Sequence, residues 1–145
     1  MTKKQARQQV KEWMNKLDKN YIEKADQSIF EQIKELKEYR EAKTIFCYAS
    51  MKNEVDTWHL ITLALKQGKN VAVPLCIGKG IMEVRQIHAL EDFEEGAYGI
   101  MEPSRNCPVL SKEKIDMALI PCVSADREGR RLGHGAGFYD RFLDG

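Results

Sequence analysis

Apolar residues recur at helical spacing through the first forty positions, at Ala6, Val10, Trp13, Met14 and Leu17, then at Tyr21, Ala25, Ile29, Ile33 and Leu36. This period predicts two N-terminal helices, each with one buried stripe. The pattern then changes to continuous apolar runs of strand length: TIFCY at 44–48, VAVPL at 71–75 and MALIPC at 117–122. Runs without polar interruption belong to strands covered on both faces. Between the first two runs, residues 56–67 return to helical spacing, with Trp58, Ile61 and Leu65 beside Leu60 and Ala64, and Gly68 as a stop. Strand, helix and strand in that order predict a βαβ crossover. IMEVRQI at 81–87 alternates like a further strand, and the acidic EDFEEGAYG at 91–99 reads as a loop over one end of the sheet. The predicted fold class is α/β, a single three-layer domain over residues 1–145 with a mainly parallel sheet flanked by helices and preceded by two N-terminal helices.

Composition narrows the partners. A chain of 145 residues suits one core, since a domain of about 150 residues buries roughly two-thirds of its unfolded surface. The 23 basic and 22 acidic side chains nearly cancel, so no global field recommends nucleic acid or an anionic membrane as a partner. Cys47, Cys76, Cys107 and Cys122 are far apart and form no CxxC pair. Buried reduced thiols are expected rather than a zinc or redox site. No apolar stretch approaches the roughly 18 residues of a membrane span, and the basic N-terminus has no hydrophobic signal core, so a cytoplasmic location is expected.

Candidate chemistry concentrates at Arg131–Asp140, RLGHGAGFYD, which follows the third apolar run. Gly133, Gly135 and Gly137 leave the backbone free to turn its N–H groups toward an anion, and a helix starting near Gly137 adds a positive end. Arg130 and Arg131 add bidentate phosphate donors. Asp140, one turn into that helix, is a hard carboxylate suited to Mg²⁺ bridging the same phosphates. The competing reading is a plain glycine-rich turn. A dinucleotide fingerprint would need a later third glycine and a distal acid, and a P-loop would need Gly-Lys-Ser/Thr; neither is present. In a mainly parallel sheet, ligands gather at the carboxyl ends of the strands. The loop after each of the three apolar runs ends there, so SMKNEVD at 50–56 and the glycine loop are expected to share one cleft.

The longer string DREGRRLGHGAGFYDRFL at 126–143 resembles the 5-formyltetrahydrofolate cyclo-ligase family, also called 5,10-methenyltetrahydrofolate synthetases. KKQAR at 3–7, YASMKNEVDT at 48–57, LALKQGKNVAVPL at 63–75 and YGIMEP at 98–103 are similar to that family in order and spacing, so the likeness spans nearly the whole chain. It implies ATP-dependent, Mg²⁺-dependent conversion of 5-formyltetrahydrofolate into 5,10-methenyltetrahydrofolate through a phosphorylated formyl group. It also implies ATP contacts from Lys3, Lys4, Gln5, Ala6 and Arg7, and from Arg131, Leu132, Gly133, His134, Gly135, Ala136, Gly137, Phe138 and Tyr139, with Asp140 on the metal. The implied folate contacts are Ala49, Met51, Glu54 and Tyr98, with His134, Gly135, Ala136, Gly137 and Phe138 touching both substrates. No catalytic acid or base is assigned.

Without the resemblance, Lys3, Lys4 and Arg7 read as a solvated basic face, Glu54 equally well as a helix-start carboxylate, and Tyr98 as a local apolar plug. The chain departs from the family pattern at CVSAD, residues 122–126, and at Phe138, where a tyrosine is usual. It also ends at Gly145, before the C-terminal segments usual in the family, which predicts a weakened fold and activity unless those segments are supplied. A monomer or weak homo-oligomer is expected. The alternative function is a non-catalytic nucleotide- or folate-binding protein on the same scaffold.

Overall fold

A computed structural model describes residues 2–51, 54–78, 81–96, 100–122, 124, 125, 128, 131 and 132. Three helices come first: α1 (Lys3–Asn15), α2 (Lys19–Glu35) and the short α3 (Lys37–Glu41). Thr2 and Gln5 start α1 reciprocally: the Thr2 hydroxyl accepts the Gln5 N–H at 3.1 Å, and the Gln5 side-chain carbonyl accepts the Thr2 N–H at 2.9 Å. Asp18 caps α2 by accepting from the Asn20 N–H. The remaining elements are β1 (Thr44–Cys47), α4 (Trp58–Lys66), β2 (Asn70–Gly78), β3 (Ile81–Ile87), β4 (Phe93–Glu95), β5 (Met101–Pro103), β6 (Met117–Leu119), β7 (Ser124–Ala125) and β8 (Arg131–Leu132).

The main sheet has the order β3-β2-β1-β6. β1 is parallel to both β2 and β6, and β3 returns antiparallel along β2. The expected βαβ crossover is β1-α4-β2, and α4 stops where predicted, at Gly68, whose φ of 80° lies in the left-handed region. All four residues of β1 are buried, and so are Val71, Ala72 and Val73 of β2. Alternation sorts them between two faces. Ile45, Cys47, Val71 and Val73 pack with Leu60, Ile61 and Ala64 of α4, with Tyr39, and with Phe30 and Ile33 of α2. Phe46, Ala72 and Val84 face the other way and are covered, among the described residues, by Met82, Leu110, Ile115 and Ile120.

Four sequence expectations need correction. No residue of α1 or α2 is buried. Trp13 and Tyr21 are 57% and 56% exposed; on α2, Phe30 and Ile33 pack against the core while Tyr21 and Ile29 stay exposed. β6 is only partly buried, since β1 is its one sheet neighbour among the described residues. Phe93–Glu95, expected in a loop, pairs antiparallel with Met101–Pro103 as β4 and β5. Cys47 and Cys107 are buried free thiols as anticipated, but Cys76 and Cys122 are exposed.

Parallel register at the start of the sheet is fixed by Asp116. Its carboxylate accepts the N–H groups of Lys43 at 2.9 Å and Thr44 at 3.0 Å, while its own N–H donates to the Thr44 carbonyl at 2.9 Å. β6 is thereby fastened to β1 where they begin.

Candidate functional site

β1 delivers the chain to the carboxyl end of the sheet, and the loop that follows returns to α4 within ten residues, 48–57. Its two limbs are stitched together. The Thr57 hydroxyl donates to the Tyr48 carbonyl at 2.6 Å and accepts the Ser50 N–H at 3.0 Å, and the Thr57 N–H donates to the Ser50 hydroxyl at 3.0 Å. The Trp58 indole N–H reaches the Ser50 carbonyl at 2.9 Å, and the Tyr48 hydroxyl donates to the Val55 carbonyl at 3.2 Å. Burial of Tyr48 pushes its phenol above the ordinary range, so it is neutral and able to donate.

Within this frame Met51 and Glu54 face each other. The Glu54 N–H donates to the Met51 carbonyl at 3.1 Å, and the Met51 N–H donates to Glu54 Oε1 at 2.8 Å. Ala49 and Glu54 are half-buried, whereas Met51 and Val55 are exposed. The result is a half-buried carboxylate tied to its own loop, with the exposed apolar side chains of Met51 and Val55 on the same loop. Such a surface suits a flat heteroaromatic ligand that carries N–H donors.

Neighbouring elements support the loop from two sides. Trp58 meets Phe93 edge-on with ring centroids 5.0 Å apart, so the β4-β5 hairpin stands on the residue that also holds Ser50. Tyr98 falls between β4 and β5 in sequence, and residues 97–99 lie outside the described ones. On the other side Asp56 Oδ1 accepts the Trp58 N–H at 2.8 Å, and Asp56 Oδ2 lies 3.1 Å from His59 Nδ1. Burial, with the neighbouring Asp56 charge, raises the carboxyl of Asp26 on α2 above its ordinary value. His59 is exposed, with its ring centroid 6.0 Å from that of Phe30.

The structure therefore brings Ala49, Met51 and Glu54 onto one loop, with Met51 and Glu54 hydrogen-bonded to each other. Lys3, Lys4, Gln5, Ala6 and Arg7 form the first turns of α1, with Lys3 and Lys4 exposed and Ala6 and Arg7 half-buried. The Gln5 side-chain carbonyl is already committed to Thr2. Arg131 and Leu132 form β8, paired with Ala125 and Ser124 of β7. Gly133, His134, Gly135, Ala136, Gly137, Phe138, Tyr139 and Asp140 lie outside the described residues. Among the described residues no cluster of three His, Cys, Asp or Glu side chains is arranged to hold a metal ion.

Sequence reasoning missed Thr57, Ser50, Trp58 and Tyr48 as the frame of this loop. The available signal was Asp-Thr-Trp at 56–58, in which two consecutive helix-capping residue types precede a helix that needs only one cap.

These features define an α/β protein with a hydrogen-bonded loop at the carboxyl end of a parallel strand, the end of the sheet at which open α/β folds commonly gather ligands. The family model for the 5-formyltetrahydrofolate cyclo-ligase family matches residues 1–145, and the chain belongs to that family. A probable 5-formyltetrahydrofolate cyclo-ligase of Schizosaccharomyces pombe is 36% identical over 99% of this chain and 72% of its own length. The 5-formyltetrahydrofolate cyclo-ligase of Haemophilus influenzae is 34% identical over 96% of the chain and 78% of its own. The NMR structure of Aquifex aeolicus 5,10-methenyltetrahydrofolate synthetase superposes with a TM-score of 0.87 at 31% identity, covering 99% of this chain and 72% of that one.

Proposed function

We propose that this chain cyclises 5-formyltetrahydrofolate to 5,10-methenyltetrahydrofolate at the expense of ATP, releasing ADP and phosphate. The observation that carries this reading is a family match over all 145 residues, joined to a hydrogen-bonded loop in which Glu54 is tied to the Met51 N–H. The formyl oxygen is a poor leaving group, so it first takes the γ-phosphoryl group of ATP. The N10 lone pair then attacks the formyl carbon, N10 gives up its proton, and the carbon–oxygen bond breaks. Phosphate leaves with the former formyl oxygen. The protein's share is alignment and charge neutralisation, as in other phosphoryl transfers.

In this reading Glu54 accepts an N–H of the pterin or orients the formyl group while keeping its bond to Met51. Ala49 and Met51 line the folate and Tyr98 stacks on it. Lys3, Lys4, Gln5, Ala6, Arg7 and Arg131 to Tyr139 surround the polyphosphate, with the stretch from His134 to Phe138 shared between substrates. The Asp140 carboxylate has the hard oxygen donor that Mg²⁺ prefers. When bound, that ion would neutralise phosphate charge. A single domain, a monomer or weak homo-oligomer and a cytoplasmic setting complete the proposal; no described helix is long and apolar enough to cross a membrane.

The test follows absorbance of the conjugated methenyl product from 5-formyltetrahydrofolate and Mg²⁺, with and without ATP, for the native sequence and Asp140→Asn. The expected outcome is product only with ATP and its loss in the variant. Binding of folate or ATP without product would instead identify a non-catalytic scaffold.

A further inference from the structure

Thr57 immediately precedes α4, where a threonine ordinarily accepts an N–H of the first turn, yet its side chain makes no bond to its own helix. Asp56 takes over that task through its 2.8 Å bond to the Trp58 N–H. The Thr57 hydroxyl is directed backwards, donating to the Tyr48 carbonyl and accepting from Ser50, and it does so with Thr57 only 5% exposed. With the return bond from the Thr57 N–H to the Ser50 hydroxyl, one buried residue joins both limbs of the loop that carries Met51 and Glu54.

We infer that Thr57 is a positioning residue for the folate side of the site, setting the separation of the loop's limbs and hence the place of Glu54 without touching substrate. The inference rests on the folate reading above. Valine matches threonine closely in shape but leaves the Tyr48 carbonyl and the Ser50 N–H without their partner; serine restores both bonds. Displacement of the loop alone weakens contacts with the ligand it holds and spares the ligand bound elsewhere in the cleft.

The experiment measures turnover and isothermal titration with 5-formyltetrahydrofolate for the native chain, Thr57→Val, Thr57→Ser and Ser50→Ala, all below their unfolding midpoints. Thr57→Val is expected to raise the folate KM and Kd roughly tenfold with the ATP KM unchanged, and Thr57→Ser to recover most of that loss. Ser50→Ala, which removes only the return bond, should shift the same constants by less, and it decides the matter should Thr57→Val not fold. Unchanged folate constants in a folded variant, or folate and ATP constants rising together, would overturn the assignment. A native chain that neither binds nor converts folate defeats the functional reading itself, whereas a competent native chain matched by its variants defeats only the role of Thr57.

Discussion

Glu54 braces its own loop, and in the proposed reading its carboxylate also meets the folate. One of its oxygens is tied to the Met51 N–H at 2.8 Å, which fixes the carboxylate relative to its own loop. Charge and shape can therefore be separated by Glu54→Gln, which keeps an acceptor for Met51 but loses the negative charge. If the carboxylate acts on the folate, this substitution lowers kcat/KM for 5-formyltetrahydrofolate by roughly tenfold to a hundredfold, the range expected for a charge-assisted bond of about 1.5–3 kcal/mol. The unfolding midpoint should stay close to that of the native chain. A fall in thermal stability with intact kcat/KM would make Glu54 a loop brace instead. From sequence, Glu54 was equally plausible as a helix-start carboxylate, but it stands four residues before α4 and bonds a loop amide instead of the helix. Thr57 was illegible for a related reason: its position announces a helix cap, and only the folded loop reveals that the hydroxyl points the other way.

Among the elements, the junction of β1 and β6 has a pH-dependent fastening. The backbone N–H of Thr44, then that of Lys43, holds the Asp116 carboxyl below its ordinary value. A carboxyl depressed by folding contributes stability above its unfolded value of about 3.9, and that contribution disappears as pH falls through the folded value. Asp116→Asn should therefore unfold at lower temperature than the native chain at neutral pH, and the gap should close on acidification below about pH 4. Thermal melts of both chains across that range provide the check; a gap independent of pH would assign the effect to shape rather than charge.

At this scale the sequence was most readable where burial is complete. Thr44–Cys47 and the following crossover appear where continuous apolar runs and Gly68 placed them. The helices α1 and α2 were placed correctly, and of the first stripe Ala6, Val10, Met14 and Leu17 are half-buried; on α2 periodicity alone could not choose between neighbouring apolar stripes. Phe30, outside the predicted stripe, packs on the core while Tyr21 and Ile29 remain exposed. The pairing of β4 with β5 was hidden because three-residue strands leave too little alternation to detect.

Over the whole molecule, the parallel sheet places the 48–57 loop where α/β folds collect ligands, and Phe93 of the β4-β5 hairpin packs edge-on against Trp58, whose indole N–H holds Ser50 of that loop. The central claim is a chemical one: the formyl oxygen leaves as part of phosphate. It is tested most directly with 5-formyltetrahydrofolate carrying heavy oxygen in the formyl group, incubated with ATP, Mg²⁺ and this protein, followed by mass analysis of the released phosphate. The account predicts one labelled phosphate for each methenyl product formed. Methenyl product accompanied by unlabelled phosphate, or no conversion at all, would contradict it.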